Sequence, residues 1–335
     1  MRTIVLIALI ALVCSHSLNS EIRDFKEFQK FIKKYNKKYS SMEEFMARFV
    51  VFRQNLNEVK LTLNKVQTWT EGITQFSDLT EQEFRKTYLN LDIDALSRIN
   101  YEPVQAKRVK DAPESFNWME KGVLGPIKNQ QSCGSCWAFS TIGNIEGLWA
   151  IKTGENLVLS EQFLVDCDTN DSGCRGGLME RTFSWLKQNG GLMLEADYPY
   201  VGIDQNCHDD KSKYVEGLDI TGYQKLGKST STFSPVDEDE VRDFLLETGP
   251  LAIALNASPL RTYTGGIADY TRSQCSPSGM NHAVVLVGYG TENGLDYWIV
   301  RNSWGATWGE EGFFRIARGK GTCGINTYIT TALLK

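Results

Sequence analysis

Histidine is scarce in this chain: His16, His208 and His282 are the only three among 335 residues. Chemistry that needs an imidazole near neutral pH has to be built on one of them. Lysine- or arginine-rich runs with interleaved aromatics are missing and the formal net charge is −5, which argues against nucleic acid as a partner. The amino-terminal apolar run, Ile4 to Val13, is too short to span a bilayer. What is present, 41% hydrophobic and 23% charged residues, reads as a soluble globular protein that needs neither repeats nor a membrane to bury a core.

Met1-Arg2, the apolar run behind them and the small residues Ser15 and Ser17 predict a secretory leader over residues 1–17. A lipid-modified Cys14 is the lesser reading, because Val13 is bulky for that cleavage. Loss of the leader takes Cys14 and His16 with it. Seven cysteines then remain: Cys133, Cys136, Cys167, Cys174, Cys207, Cys275 and Cys323. An odd number in a secreted chain implies three pairs and one free thiol, with the connectivity open.

The stretch from Gln130 to Ser140 holds the chemistry. Small and polar residues run into Cys136, and Phe139, Ile142, Ile145 and Trp149 follow at spacings of three and four, which predicts an amphipathic helix starting near Cys136. Unpaired N–H groups and the dipole at a helix start favour a thiolate, the nucleophilic form of cysteine. The Cys133-Gly-Ser-Cys136 spacing also fits a thiol-disulfide oxidoreductase, but no βαβ unit surrounds it. Of the histidines left, His208 stands in a loop among Cys207, Asp209 and Asp210, and His282 at the entry of the apolar strand 283–287. Asn302 follows a strand at 297–301, where two antiparallel strands could bring its amide to the His282 ring as an orienter.

Around this stretch, residues 21–64 have two helical apolar faces, one with Phe25, Phe28, Phe31, Ile32 and Tyr35 and one with Met42, Phe45, Met46, Phe49, Phe52, Leu56 and Val59. Residues 90–111 have no clear period and read as an exposed connecting strap. A helix is expected over 178–188, stopped by Gly190-Gly191, and another behind the acidic turn Asp237–Glu240, whose acids read as a solvated face. Strands are expected at 250–255, 283–288, 297–301 and 312–316. Residues 21–111 carry 17 Lys and Arg against 14 Asp and Glu, and residues 112–335 carry 18 against 27, so the two parts attract. The expected fold class is α+β, a helical half followed by a β-rich half with a cleft between.

Three separated segments, Gln130 to Phe139, Asn281-His282-Ala283 and Tyr297 to Gly305, resemble the papain family of cysteine peptidases in its cathepsin L-like branch. The amino-terminal part is similar to that family's inhibitory propeptide, with Glu44, Arg48, Phe52 and Asn55 on one helical pattern and Gly72, Phe76 and Asp78 on a second. Val59, Leu63 and Thr74 depart from it, as does Asn64, one place late. The resemblance implies a two-lobed papain-like fold, helical lobe against β-barrel-like lobe, made as a zymogen: leader 1–17, inhibitory propeptide 18–111, peptidase domain 112–335. It makes Cys136 the nucleophile, His282 the base and later acid, Asn302 the orienter and Gln130 an oxyanion donor with the Cys136 N–H, with Trp304 shielding the His282–Asn302 contact. A catalytically dead binding relative would usually lack the nucleophile or the base.

It also implies disulfides Cys133–Cys174, Cys167–Cys207 and Cys275–Cys323, and a backbone-binding edge at Gly176 and Gly177. The main specificity pocket would be lined by Leu178, Met179, Ala254, Met280, Ala283 and Tyr328, all apolar or aromatic, with Tyr328 closing the floor; leucine or valine is expected there over arginine. Gln131 stands where the family usually has glycine. No histidine-rich insertion follows the nucleophile helix, so an endopeptidase is expected, without metal or cofactor. Acid-triggered processing near residues 107–112, monomeric state, cystatin-like inhibitors, glycosylation at Asn170 or Asn256, and a lysosomal, vacuolar or extracellular destination complete the expectations.

Overall fold

The computed structural model describes residues 19–62, 66–93, 102–227 and 234–335. The expected leader, Leu63 and Asn64 lie outside them. Helix α1 covers residues 19–34 and α2 is Met42–Thr62. Their apolar faces close on each other through Phe28, Phe31, Phe49, Phe52 and Leu56, a small core of their own, whereas Met42 and Met46, expected on the second face, are exposed. The chain then turns onto the rest of the molecule. Strand β1 (Trp69–Glu71) pairs antiparallel with β5 (Tyr263–Ala268), and helix α3 (Glu81–Tyr88) starts with a capping box between Thr80 and Glu83.

Beyond residue 112 come the short strand β2 (Phe116–Asn117) and three helices: α4 (Cys136–Thr153), α5 (Glu161–Cys167) and α6 (Met179–Asn189). The β-rich half contains β3 (Ile220–Lys225), helix α7 (Glu238–Thr248), β4 (Leu251–Leu255), β5, β6 (His282–Glu292), β7 (Leu295–Arg301), β8 (Phe313–Ala317) and β9 (Tyr328–Leu334). The strand order is β1-β5-β8-β7-β6-β4-β9-β3, with β2 beside β6. All pairs are antiparallel except β5 with β8. No helix among the described residues is long and apolar enough to cross a membrane.

Several expectations need correction. Helix α4 is not amphipathic in the solvent sense, because both faces are buried. Its small and polar face, Ser140, Gly143, Asn144 and Gly147, meets the β-rich half: a Cβ on Gly143 would stand 2.9 Å from Val285, and Ser140 Oγ donates to the Val284 carbonyl at 2.8 Å. The acidic turn of α7 is only partly solvated, since Glu238 is buried and accepts from Trp298 Nε1 at 2.7 Å. The strap is not free either. Leu91 is buried, Val104 joins Leu226 in a β-bridge, and Val109 N donates to Asp243 Oδ2 at 3.2 Å.

The amino-terminal part is pinned by the residues that match the propeptide pattern. Arg48 Nη1 donates to the Asp78 carbonyl and to Glu83 at 3.1 and 2.9 Å. Asn55 Nδ2 donates to the Ser77 and Leu79 carbonyls, and the unusual Thr74 donates through Oγ1 to the Arg261 carbonyl at 2.6 Å. Phe52 is wholly buried at the centre of the α1–α2 core. We expect Phe52→Ala, in a chain whose thiol is silenced by Cys136→Ala, to destabilise this part by about 3–5 kcal/mol. A denaturant titration checks it: the α1–α2 part should melt in a separate, earlier transition.

Candidate active site

The thiol is placed by α4. Cys136 opens that helix, is fully buried, and is the free cysteine among the described residues. The other six close as Cys133–Cys174, Cys167–Cys207 and Cys275–Cys323. Gly134 lies between Cys133 and Cys136 because its position leaves no room for a side chain: a Cβ would run into Asn90 and the Cys174 carbonyl. Backbone N–H groups of Ala283, Trp137, Asn90 and Cys136 itself point at the sulfur.

The imidazole comes from the other half. Strands β6 and β7 run antiparallel with Val285 opposite Arg301, so Asn302, just past β7, returns to the start of β6 where His282 stands. His282 Nε2 and Asn302 Oδ1 are 2.8 Å apart. The Trp304 ring lies over the imidazole at 4.8 Å between centroids and excludes water from that contact. The Ala283 N–H directed at the sulfur places the first residues of β6 alongside Cys136. His208 is exposed beside the Cys167–Cys207 disulfide and takes no part.

Gln130 is held at three points that sequence reading missed. Its Oε1 accepts from Ser303 Oγ at 2.7 Å, its backbone N donates to the Ser303 carbonyl at 2.8 Å, and its carbonyl accepts from Tyr200 Oη at 2.7 Å. Nothing in the sequence pairs these residues, since Ser303 lies 173 positions away. Gln131 adopts φ 53°, the left-handed region that favours glycine, the residue that the resemblance leads one to expect there.

The cleft is filled by the chain's own segment. Gln130 Nε2 donates to the Tyr88 carbonyl at 3.3 Å and the Cys133 carbonyl at 2.9 Å. Leu91 N donates to the Asn281 carbonyl at 3.2 Å, and Asp92 N to the Gly177 carbonyl at 3.1 Å, in a parallel bridge between Leu91 and Gly177. A Cβ on Gly176 would collide with the Asn90 carbonyl, so its bare backbone is what lets the segment approach. Leu91 is buried in one apolar cluster with Leu178, Met179, Ala254, Met280 and Tyr328, which also takes in Ala283. Phe76 and Phe84 meet the Trp304 ring edge to face.

This cover changes the electrostatics. Burial pushes the Cys136 thiol up to about 11 and His282 down to about 4, in both cases against the hydrogen bonds that favour the charged form. The Tyr88 carbonyl near the ring favours its protonated form, yet not in hydrogen-bond geometry, and Nδ1 has no hydrogen-bond partner. The thiolate expected at a helix start is therefore absent in the covered state. Desolvation outweighs the four N–H groups. Behind the pair, Lys128 joins Glu146 and Glu161 at 2.8 and 2.7 Å around a cavity of about 20 Å³ that Asn302 also lines. Burial raises Glu161 to about 8 against the pull of the Lys128 ammonium, with the Glu146 carboxylate adding to the rise. Among the described residues no cluster could hold a metal ion.

Comparison with known proteins gives concordant matches. The chain fits the family model "Papain family cysteine protease" over residues 112–333 and "Cathepsin propeptide inhibitor domain (I29)" over residues 28–84. It is 41% identical to Cysteine proteinase 15A of Pisum sativum, across 94% of this chain and 87% of that one. It is 40% identical to Cathepsin F of Mus musculus, across 92% of this chain and 64% of that longer one. The solved structure of digestive procathepsin L2 proteinase from Tenebrio molitor larval midgut superposes with TM-score 0.84 at 35% identity, covering 93% of this chain and all of that one.

Burial of the thiol predicts its reactivity. In the intact chain, alkylation of Cys136 by iodoacetamide at pH 7 should be at least about a hundredfold slower than after removal of residues up to 111, because a thiol shifted to about 11 leaves little thiolate. Rates measured by mass spectrometry against pH check this; equal rates at pH 7 would contradict it.

Proposed function

The chain belongs to the papain family of cysteine proteases and carries the family's propeptide inhibitor domain, and on that premise we propose that it hydrolyses peptide bonds through Cys136, His282, Asn302 and Gln130 once residues 18–111 are removed. The observation that carries this reading is the convergence of one free buried thiol with the His282–Asn302 pair at 2.8 Å, under a segment of the same chain. Removal of that segment readmits water to the cleft and relieves the burial that keeps thiol and imidazole neutral. The Cys136 sulfur then attacks the substrate carbonyl as thiolate. Gln130 Nε2, freed from Tyr88, and the Cys136 N–H receive the negative oxygen. Imidazolium gives its proton to the leaving amine, and water, deprotonated by His282, hydrolyses the thioester. Asn302 orients the ring without titrating.

Substrate preference follows from what occupies the cleft. Leu91 sits between the contacts to Asn281 and Gly177, in the cluster proposed as the main specificity pocket, so aliphatic side chains are favoured and an endopeptidase is the preferred reading. Gly176, Gly177 and Trp304 would line the substrate path. Protein substrates, monomeric state, cystatin-like inhibitors and a secretory route to a lysosome, vacuole or the exterior belong to the same proposal. Of the sequons, Asn170 is the better candidate, because Asn256 is buried and its amide donates to Ser276.

Acid release is proposed on the carboxylates that hold the amino-terminal part. Burial raises the Glu83 carboxyl, but hydrogen bonds from Arg48 and Thr80 outweigh it and leave the pKa below the ordinary value of 4.5. A depressed carboxyl contributes stability above its unfolded pKa, and this contribution is lost as pH falls through the folded one. Acid thus weakens the cap of α3, the helix that carries Phe84 and Tyr88 to the cleft. Glu58 paired with Arg261 at 3.3 Å and Asp92 with Arg181 at 3.0 Å join the two parts.

Gln130→Ala should lower kcat by about 10²–10³, and Cys136→Ala should remove activity while the chain still folds, both read with a fluorogenic peptide. Processing near residues 107–112 should be faster at pH 4 than at pH 7, and Glu83→Gln should narrow that difference by raising the rate at pH 7. Identical gel time courses at the two pH values would refute the acid trigger.

A further inference from the structure

Beneath the cluster that receives Leu91 lies a buried ion pair that the reaction does not use. Lys225, at the end of β3, is 2% exposed, and Glu180, in the first turn of α6, is 0% exposed. Lys225 Nζ is 3.2 Å from Glu180 Oε1 and stands 4.4 Å from the centroid of the Tyr328 ring. The placement follows from register. Lys225 is opposite Thr330 on β9, and Tyr328 lies two residues earlier on the same strand, so cation and ring share one face of the sheet as diagonal neighbours. Glu180 directly follows Leu178 and Met179, both members of the cluster.

An ion pair removed from water contributes little stability over an apolar pair of the same shape. Its geometry here does something an apolar pair would not. The Tyr328 hydroxyl makes no hydrogen bond among the described residues, so the ring is not oriented through its tip. Its face is met by the Lys225 ammonium, which stands in ion-pair range of the Glu180 carboxylate without a hydrogen bond of good geometry between them.

We propose that the Glu180–Lys225 pair is a positioning device that sets the depth of the specificity pocket, Lys225 fixing Tyr328 across its end and Glu180 fixing Lys225. This rests on the reading of that pocket given under the proposed function. With the ring fixed, a leucine side chain fits above it and a phenylalanine meets it. With a paired ammonium behind the ring, an arginine side chain entering the pocket finds no free counter-charge.

The test uses the processed enzyme and fluorogenic peptides that differ only in the residue preceding the one at the scissile bond, leucine, phenylalanine or arginine. The ratio of kcat/KM for leucine over phenylalanine is compared for the unaltered enzyme, Tyr328→Ala, and the double variant Glu180→Gln with Lys225→Met, which leaves no buried charge unpaired. The expected result is a fall of about thirtyfold in the ratio for the double variant, the worth of one desolvated cation–π contact of about 2 kcal/mol, and at least as large a fall for Tyr328→Ala. A fall in Tyr328→Ala with an unchanged ratio in the double variant overturns the positioning role and leaves the pocket standing. Unchanged ratios in both overturn the pocket reading and this proposal with it. Should the double variant not fold, Lys225→Met alone reads the same ratio, since buried Glu180, whose carboxyl burial already raises, then takes up a proton.

Discussion

The close approach of helix α4 to strand β6 is the constraint on which the site depends. A thiol and an imidazole 146 positions apart in sequence are brought together because one face of α4 has no bulk: Gly143 admits Val285, and Ser140 Oγ donates a hydrogen bond to the Val284 carbonyl. A larger side chain at Gly143 would push the strand away and carry His282 with it. Asn144 locks the far end of the contact, donating to the Pro250 carbonyl at 2.7 Å and accepting from Ala332 N at 2.9 Å. The register of β6 against β7 then delivers Asn302 to the ring. The disulfides fasten loops at the edges of this contact, two in the helical half and one in the β-rich half, each worth roughly 2–4 kcal/mol to the fold.

Inhibition by the amino-terminal part is both steric and electrostatic. Tyr88, Asn90 and Leu91 lie against Gln130 Nε2, the sulfur and the apolar cluster, so the cleft is filled by the chain itself. The same cover strips water from Cys136 and His282 and moves their titration apart in the direction that keeps both neutral. A helix N-terminus alone does not make a thiolate. It does so only when the loss of solvation is smaller than what the N–H groups return.

The hold between the two parts is built less from net charge than the composition suggests. Opposite totals draw the parts together, but the contacts are a β1–β5 strand pair, backbone hydrogen bonds along the cleft and the Phe76, Phe84 and Trp304 rings, with ion pairs at the margin. The proposed acid release would accordingly act mainly through the internal order of the inhibitory part, at contacts such as Glu83 with Arg48.

Much of the fold is written locally. The apolar spacing of Phe28, Phe31, Phe49 and Phe52 places two helices, glycines end helices at 154 and 190, and apolar runs mark β4 and β6. Strands β3, β5 and β9 escaped notice because Gly222, Gly265 and Gly266 and a threonine-rich end blur their alternation. Residue type and order were enough to single out Cys136 and His282, since an odd thiol and a scarce imidazole leave few alternatives. What sequence could not supply is who stands behind them: Ser303 and Tyr200 on Gln130, Lys128 between two glutamates, Lys225 under Tyr328 and Leu91 in the cleft. Each of these contacts joins segments far apart along the chain, and periodicity reports only neighbours. The sequence by itself determined the chemistry available and the helices that start it; tertiary structure decided the charge state, because ionisation depends on which distant residues displace water from the thiol and the ring.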